Sequence, residues 1–410
     1  MKITPRSLHA REILDSRGQP TVEVTLTTDQ GTSVASVPSG ASVGVHEAHE
    51  LRDGDISRFG GAGVQKAVAH INEEIARAVC GTEHSQQSLD EALIALDGTA
   101  DKSNLGANAM LAVSIAFARA TAAADGKELF RYIQELCGKG APAMPQPCFN
   151  VINGGVHADS GLSVQEFMLV PTMPQSMKER VRIASDVISQ LKLQLQERGL
   201  TVSVGDEGGF APKVGSEEAA LDVLIEAIAK SGHESDGVSI ALDVAATEFF
   251  DGSVYKLGAK TMSATELSHW YKSLTEKYPI VSIEDPFEAE AFSDFAQLRE
   301  ALGGKVRLVG DDLTVTNTAR VAQAAASKSI DAVIIKPNQI GTVTETLAAA
   351  GTAKENGIAL MVSHRSGETT DTFVADLAVG LGAEYCKFGS LRRGERVSKY
   401  NRLMEIEGTL

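Results

Sequence analysis

Residues 280–285 read IVSIED and residues 332–336 read AVIIK, so in both segments a short apolar run ends directly in charged side chains. The same arrangement occurs in SIALD at 239–243 and in ALMVSHR at 359–365. A short apolar run bounded by polar residues is typical of a buried strand in a parallel sheet. Amphipathic stretches of helical length separate the runs. The pattern therefore predicts successive βα units.

The ends of these runs recur at regular intervals. From the second run onward they stand at positions 243, 284, 311, 336, 364 and 387, which are 41, 27, 25, 28 and 23 residues apart. Each interval is close to one strand and one helix, and in a (β/α)8 barrel the carboxyl ends of the strands meet at one rim, where active sites lie. We therefore predict a barrel whose site is built from strand-end residues, although strand ends are also simply polar in many proteins. The charged residues that follow the seven runs are Asp206, Glu207, Asp243, Glu284, Asp285, Asp311, Asp312, Lys336, His364, Arg365 and Lys387.

The amino-acid composition and net charge exclude several classes of protein. The chain has 410 residues, of which 43% are hydrophobic and 22% charged, and these values exclude disordered, collagen-like and coiled-coil proteins. With 38 Lys and Arg against 54 Asp and Glu, the formal net charge is −16. That charge disfavours general nucleic-acid and anionic-membrane binding, because the long-range field repels phosphates. An anionic substrate would need cations placed locally.

No targeting or membrane segment is predicted. Residues 1–18 carry scattered charges and no apolar run, so we predict neither a secretory signal nor a membrane anchor. The most apolar stretch, 105–124, contains Asn108 and Arg119 and is followed by Gly126, which indicates a buried helix and not a membrane span. Four cysteines without a C-x-x-C pair favour a reducing compartment, and we predict a cytoplasmic protein.

Local patterns outline the organisation of the chain. Alternating residues at 21–26 and 33–37 predict a β-hairpin. The Gly- and Pro-rich segment 138–147 is typical of a domain boundary. Beyond it, periodic apolar residues predict an amphipathic helix over 177–198 that ends at Gly199.

Sequence motifs distributed along the whole chain point to one family. In order they read ILDSRGQPTVEV, VPSGASVGVHEA, NLGANAMLAVSIA, FNVINGGVHA, QEFMLVP, VGDEGGFAPK, IALDVAATEF, SIEDPF, VGDDLTVTN, IIKPNQIGT, VSHRSGETTD and RRGERVSKYNRL. Together, in this order and spacing, they resemble the enolase family over nearly the full length. The resemblance implies an N-terminal α+β cap domain at 1–130 and an enolase-type modified (β/α)8 TIM barrel at 140–410. It also implies a lyase of glycolysis and gluconeogenesis that reversibly dehydrates 2-phospho-D-glycerate to phosphoenolpyruvate with magnesium.

Three strand-end carboxylates are candidate metal ligands. Asp243, Glu284 and Asp311 offer hard oxygen donors with no histidine or thiol among them, which suits Mg²⁺ better than Zn²⁺. Any one of them alone could equally cap a helix or pair with an arginine. The resemblance assigns the three to one magnesium ion and Ser42, in the Gly-rich loop 39–47, to a second, so two Mg²⁺ are expected per active site. This loop is expected to act as a mobile lid.

The resemblance also indicates an acid and a base. Lys336 matches the family's general base, and it must be partly neutral to accept a proton; nearby cations such as Mg²⁺ and Lys387 are expected to lower its pKa. A strand-end lysine without this context would more often be an ion-pair partner. Glu207 matches the proton donor, with Glu166 sharing its proton, because two carboxylates in one dry pocket raise the pKa of one partner. Without the resemblance, Glu166 could equally be a surface residue before a buried strand.

Further residues are expected to contact the substrate. Arg365 and Ser366 supply a forked cation and a hydroxyl for a phosphate group, and Lys387 is expected to meet the substrate carboxylate. Isolated histidines are usually structural, so His157 and His364 depend on the resemblance. The predicted substrate-binding residues are His157, Gln165, Glu166, Glu284, Asp311, His364, Arg365, Ser366 and Lys387.

The chain departs from the family pattern at a few positions. Val43 and Phe388 stand where threonine is common, and the region after Pro171 looks shorter than in many relatives. These departures leave open a degenerate homologue with a binding or scaffold role, or a superfamily member that acts on another carboxylate. The acid, base and metal residues are all present, so the enzyme is the preferred hypothesis. By resemblance it is expected to form a homodimer or a higher homo-oligomer, without nucleic acid.

Overall fold

An N-terminal sheet with helices on one side is joined to a closed barrel in the computed structural model. The structure describes residues 1–41, 44–138, 140–173, 176–233 and 237–410. The N-terminal sheet is antiparallel, in the order β1-β2-β3, with β1 at Ser7–Leu14, β2 at Pro20–Thr28 and β3 at Gly31–Ser36. Strands β2 and β3 confirm the predicted hairpin. Strand β1 was not predicted, because its outward face carries charges that conceal the alternation of buried Leu8 and Ala10.

Helices cover this sheet. The longest, Ala107–Ala124, packs against β2 and β3. Among the described helices it is the one with the length and hydropathy of a membrane span, but 83% of it is buried inside the fold, as the sequence predicts. The helical segments of this part are Phe59–Gly61, Gln65–His70, Ile71–Ile75, Ala76–Val79, Gln86–Asp97, Ala107–Ala124 and Leu129–Cys137.

The second part is a closed barrel of eight strands with helices around it, which confirms the predicted TIM-barrel class. Around the barrel the order is β10-β11-β12-β13-β4-β5-β6-β9, and β7 and β8 form a separate hairpin. The strands are β4 (Gln146–Asn153), β5 (Glu166–Pro171), β6 (Val238–Asp243), β7 (Tyr255–Leu257), β8 (Lys260–Met262), β9 (Ile280–Glu284), β10 (Arg307–Gly310), β11 (Ala332–Ile335), β12 (Ala359–Ser363) and β13 (Tyr385–Lys387).

The barrel helices match the predicted alternation. The helix predicted over 177–198 is Met177–Glu197, with the Ser176 side chain accepting a hydrogen bond from the backbone of Glu179 at its start. The helical segments are Gly155–His157, Met177–Glu197, Glu217–Lys230, Ala246–Phe249, Ala264–Lys277, Phe292–Leu302, Thr318–Ser327, Pro337–Gln339, Val343–Glu355, Phe373–Leu381 and Gly394–Glu407. The predicted domain limits, 1–130 and 140–410, stay a prediction.

The barrel departs from eight parallel units at its first strands. β5 runs antiparallel to both β4 and β6, whereas the other neighbouring pairs are parallel.

One predicted strand is wrong: residues 202–205 form only an isolated bridge between Val204 and Phe210. Ser203 and Val204 are exposed, so this run lacks the buried apolar side chains of a barrel strand. Two apolar residues in a short run did not distinguish a buried strand from a loop.

Candidate active site

Strand register brings the predicted carboxylates to one rim of the barrel. Glu166 lies directly opposite Asp243, and Asp243 lies opposite Glu284 on the next strand. Val309 is opposite Glu284, so Asp311 follows just beyond it. Because β5 is antiparallel, its first residue and not its last reaches the rim at which the parallel strands end. All four carboxylates are buried.

Lys387 joins three of these acids. Its Nζ lies 2.8 Å from Asp243 Oδ2, 2.8 Å from Glu284 Oε1 and 3.4 Å from Glu166 Oε1. Burial lowers the pKa of Lys387, but the negative charges of Asp243 and its neighbours outweigh this and raise the pKa well above its usual value. The lysine predicted to meet a substrate carboxylate thus carries its charge among the predicted metal ligands.

Lys336 is a second, partly buried cation of the rim. Its ammonium group forms an ion pair with Asp311 Oδ2, and its backbone N–H donates to Thr316 Oγ1 at 2.9 Å. Burial and the charges of Arg365 and Lys387 lower the pKa of Lys336, but the negative charges of Asp311 and Glu284 act against them, and the net shift is upward. Lys387 thus lowers this pKa as expected, whereas the contact with Asp311 acts in the opposite direction.

Glu166 and Glu207 come together with His157. One ligand atom from each of the three lies within 4.8 Å of the others, and His157 Nδ1 is 3.7 Å from Glu207 Oε1. Burial and the charge of Glu207 raise the pKa of Glu166 well above its usual value. Although burial raises the pKa of Glu207, His364 and His157 lower it by more. The pKa values of the two carboxylates therefore separate, but the proton is favoured on Glu166 and not on Glu207, the predicted donor.

Glu207 reaches the site from a loop and not from a strand end. Gly208 follows it with φ +88°, and a Cβ there would lie 3.0 Å from the carbonyl oxygen of Arg392. The tight turn therefore needs glycine, in agreement with the Gly-rich motif. Asn150 Nδ2 donates to Glu207 Oε2 at 3.1 Å and holds the carboxylate in place.

Arg365 is held by an acid from the loop that was predicted to be a lid. Its Nη1 lies 2.8 Å from Glu47 Oε2, its Nη2 lies 3.2 Å from Glu47 Oε1, and Nη1 also donates to Asn338 Oδ1 at 3.1 Å. Burial lowers the pKa of Arg365, but Glu47 raises it by more. Ser366 is buried beside it, and Gln165 is buried at the same cavity; within the described parts of the chain its Oε1 has no hydrogen-bond partner.

The donor chemistry of the rim fits a hard divalent cation. Glu284 Oε2 and Glu166 Oε2 are buried and, among the described residues, accept no hydrogen bond. Asp243 and Asp311 add further carboxylate oxygens, and hard cations of this kind prefer such ligands. Ser42, predicted to hold a second magnesium, and Val43 lie outside the described residues.

Asp285 has a supporting position behind these acids. Its two carboxylate oxygens accept hydrogen bonds from the backbone N–H groups of Asp311 at 2.9 Å and Asp312 at 2.7 Å. Oxygens of Asp285, Asp311 and Asp312 also lie within 4.8 Å of one another. Asp285 thereby fixes the strand end from which Asp311 extends, as expected for a capping group.

The departure at Phe388 lies in the core and not in the site. Phe388 is fully buried, and its ring centroid is 6.1 Å from that of Tyr400. Its neighbour Lys387 lines the cavity. The phenyl ring therefore packs in the core, and it is not among the side chains that line the cavity.

Three site residues were not predicted from the sequence. Glu47 pairs with Arg365, and Gln339 Nε2 donates to Asp311 Oδ1 at 2.9 Å. Arg396 is fully buried against His364. All three fall within the quoted motifs, but they are not at strand ends, so the strand-end pattern did not find them.

Comparison with protein families accounts for both parts of the chain. Residues 6–133 match the model of the enolase N-terminal domain. Residues 141–410 match the model of the enolase C-terminal TIM barrel domain. The two matches cover nearly the whole chain in the order in which the sheet and the barrel occur.

Proposed function

This chain belongs to the enolase family, and from that membership we propose that it is a phosphopyruvate hydratase, a hydro-lyase that reversibly dehydrates 2-phospho-D-glycerate to phosphoenolpyruvate. The observation that carries the proposal is a single cavity lined by the lysine, carboxylate and arginine groups this reaction needs. It brings together Lys336, the Glu166 and Glu207 pair, and Arg365. The reaction removes a proton from carbon 2 and hydroxide from carbon 3.

The two charged groups of the substrate, its phosphate and its carboxylate, are proposed to bind to different cations of the site. Arg365 offers a planar fork of donors that matches a phosphate group, and the Ser366 hydroxyl lies next to it in the chain. Lys387 is proposed to meet the carboxylate of the substrate. Burial of these groups excludes water and strengthens their electrostatic interactions.

Lys336 is proposed to take the carbon-2 proton on Nζ. It can do so only as the neutral amine, and its contact with Asp311 favours the charged form. The proposal therefore requires that this ion pair be released in the loaded site. Arg365 and Lys387 both act in the required direction, since their positive charges lower the pKa of Lys336.

The Glu207 and Glu166 pair is proposed to protonate the departing hydroxide, which then leaves as water. The raised pKa of Glu166 favours the neutral carboxyl form of that member of the pair. Assignment of the donor role to Glu207 stays a prediction. His157 lies beside both carboxylates, and Gln165 lines the same cavity.

Asp243, Glu284 and Asp311 are proposed to hold magnesium, with Ser42 at a second ion. When bound, magnesium supplies positive charge for the substrate carboxylate as it becomes an enolate, and a lysine base with one or two magnesium ions is the enolase-superfamily arrangement. The unpartnered oxygen of Glu284, as judged over the described residues, supports this assignment.

The ultraviolet absorbance of phosphoenolpyruvate tests the proposed activity. We expect it to appear when 2-phospho-D-glycerate is added to the protein with saturating Mg²⁺, and to require the metal. D-glycerate is the matched control, because it lacks only the phosphate group that Arg365 and Ser366 are proposed to bind. No turnover of the phosphorylated acid would contradict the proposal, and equal turnover of both acids would indicate a different carboxylate substrate.

The cellular setting is proposed from the family alone. We propose a role in glycolysis and gluconeogenesis in the cytoplasm, as a homodimer or a higher homo-oligomer. Light scattering coupled to size exclusion would give the mass in solution, for comparison with the 43.2 kDa of one chain.

A further inference from the structure

Arg396 is a fully buried arginine at the start of helix Gly394–Glu407. Burying a guanidinium group is costly unless its N–H groups are satisfied. Here it donates to the backbone carbonyls of Arg365 at 2.5 Å, Ser366 at 2.5 Å and Asp206 at 3.2 Å. One side chain therefore holds the backbone on the proposed phosphate side of the site and the backbone directly before Glu207.

The same guanidinium group contacts the ring of His364. Arg396 Nη1 lies 2.6 Å from His364 Nδ1. Arginine is only a donor, so Nδ1 must be the acceptor in this contact and cannot carry a hydrogen. A neutral His364 then carries its ring proton on Nε2. Burial lowers the pKa of His364 to about 3, in agreement with a neutral ring.

The other ring nitrogen faces Glu207. His364 Nε2 lies 3.1 Å from Glu207 Oε2. It is buried, and no described group of the protein is well enough aligned to accept a hydrogen bond from it. The Nε2–H thus lies beside the Glu207 carboxylate without a well-aligned hydrogen bond to it, and it is available to a group bound in the cavity.

Close packing restricts other orientations of the ring. Gly389 has φ +78°, and a Cβ there would lie 2.9 Å from His364 Cε1, 2.8 Å from the Glu207 carbonyl oxygen and 3.0 Å from Arg396 Cδ. The backbone of residue 389 therefore lies against all three residues. Turning the ring over would also replace the Nδ1 acceptor by a C–H group facing the guanidinium.

We propose that Arg396 is a positioning residue that fixes His364 as the Nε2–H tautomer and so keeps a hydrogen-bond donor beside Glu207 in the cavity. Only the effect of this tautomer on turnover rests on the proposed function; the tautomer itself does not. Arg396 touches no reacting atom in this scheme. It acts on the proton-donating side of the site through His364.

Nuclear magnetic resonance of the ¹⁵N-histidine-labelled, deuterated protein tests the tautomer directly. Two-bond ¹H–¹⁵N couplings differ between the two neutral tautomers and the doubly protonated ring. The chain has nine histidines, and His364→Gln identifies the signals of His364 by their loss. We expect a hydrogen on Nε2 and a bare Nδ1 at neutral pH. A hydrogen on Nδ1, alone or in addition, would overturn the proposal.

Two variants test the role of Arg396. Arg396→Met removes every donor, whereas Arg396→Lys keeps one donor for Nδ1 but loses the fork. We expect a mixture of tautomers and a kcat lower by about 10- to 100-fold in Arg396→Met, the range typical of groups that orient catalytic ligands. Arg396→Lys should retain more of the Nε2–H form and of kcat.

Arg402→Met is the matched control. Arg402 lies on the same helix and pairs with Asp376, Glu128 and Glu405, away from the cavity. It should leave the His364 signals and kcat unchanged even if it lowers the melting temperature. An unchanged tautomer in Arg396→Met, or the same change in Arg402→Met, would overturn the proposal. If Arg396→Met does not fold, the tautomer of His364 in Arg396→Lys and in the wild-type protein tests the proposal instead.

Different experimental results would contradict this proposal and the proposed function. A wild-type protein with the Nε2–H tautomer but without turnover of 2-phospho-D-glycerate contradicts the function alone. Normal turnover with the other tautomer contradicts only the role of Arg396.

Discussion

Each proposed cation of the site contacts a carboxylate of the protein itself. Lys336 contacts Asp311, and Arg365 contacts Glu47. Such pairs lower the cost of burying charge, because an unpaired buried ion is strongly destabilising. They also mean that a substrate anion does not meet free cations. In the proposed reaction, the phosphate of the substrate would compete with Glu47 for Arg365, and its carboxylate would compete with the acids around Lys387.

Glu47→Gln tests this competition at the phosphate end. Removing the negative charge beside Arg365 should increase the affinity for inorganic phosphate by several-fold to about tenfold, because about 1.4 kcal/mol corresponds to tenfold. Isothermal titration calorimetry with phosphate measures the change. Glu290→Gln is the control, since Glu290 pairs with the exposed His46 and with Arg320 outside the cavity. Equal or weaker binding to Glu47→Gln than to wild type would contradict the expectation.

Lys336→Ala tests the proposed base. The variant should lose at least about 100-fold in kcat, because general-base catalysis contributes about 10² to 10⁴. It should keep the fold, as judged by circular dichroism, because the carboxylate of Asp311 can pair with the proposed magnesium ion instead of Lys336. Measurable turnover within a factor of ten of wild type would remove Lys336 from this role.

At the scale of elements, side chains of the N-terminal helices contact the start of the barrel helix Val343–Glu355. These contacts hold the end of the loop that follows Lys336. The backbone of Thr344, at the start of helix Val343–Glu355, donates to Asp90 Oδ2 at 2.9 Å, and its hydroxyl donates to the same oxygen at 2.6 Å. The backbone of Val343 donates to Ser114 Oγ at 3.0 Å. Orphan N–H groups of a barrel helix are therefore capped by side chains from the other part of the chain.

Asp90→Asn gives a prediction with a defined pH dependence. Burial raises the pKa of Asp90, so the folded state binds its proton more tightly than the unfolded state. Stability from this group is therefore present below its unfolded pKa of about 3.9 and falls as pH rises towards the folded pKa. The introduced amide does not titrate, so the free energy of unfolding of the variant, relative to wild type, should increase as pH rises above about 4.

Gln86 gives a structural reason to expect this substitution to be tolerated. Gln86 Nε2 lies 3.2 Å from Asp90 Oδ2, whereas its own Oε1 is buried without a partner among the described residues. An amide at position 90 could donate to that oxygen after a flip of the Gln86 amide. Asp90→Leu is the contrasting variant and should lose about 1 to 3 kcal/mol, because it leaves buried donors unpaired. Denaturant unfolding at pH 5 and pH 7 measures both, and a pH-independent difference for Asp90→Asn would contradict the expectation.

For the whole molecule, an acidic net charge is compatible with the binding of an anion. The net charge comes from groups spread over the chain, whereas binding depends on groups within the cavity. The charge of −16 is spread over the chain, whereas the site gathers Lys336, Lys387 and Arg365 in one cavity. Exposed charges farther apart than about 8 Å are largely screened at physiological salt. The charges inside the cavity, its cations together with the carboxylates that pair with them, therefore decide what binds.

Magnesium should stabilise the folded protein as a whole. A ligand that binds only the folded state at 100 times its dissociation constant adds about 2.7 kcal/mol to the free energy of unfolding. Thermal denaturation with Mg²⁺ and with a chelator measures the effect. Asp243→Asn should reduce it, whereas Asp222→Asn, on an exposed helix surface away from the rim, should not. An equal metal effect in both variants would contradict the proposed ligand.

Residues at strand ends could be predicted from the sequence, whereas groups that reach the site by another geometry could not. Asp243, Glu284 and Asp311 were found because parallel strands finish at one rim. Arg396 was not found, because a single buried arginine on an outer helix leaves no periodic signal. The contact of Lys336 with Asp311, which favours the charged amine, was not predicted, because it depends on side-chain conformations that spacing does not fix.

The reversed strand β5 has a consequence for tolerated changes in chain length. Its start carries Glu166 at the rim, so its end at Pro171 lies at the opposite end of the barrel. Residues added or deleted after Pro171 would therefore alter the far end and leave the cavity unchanged, which explains why a shortened segment there need not impair the site. A slip of one residue within β5 would instead turn Glu166 out of the cavity and put the ring of Phe167 in its place.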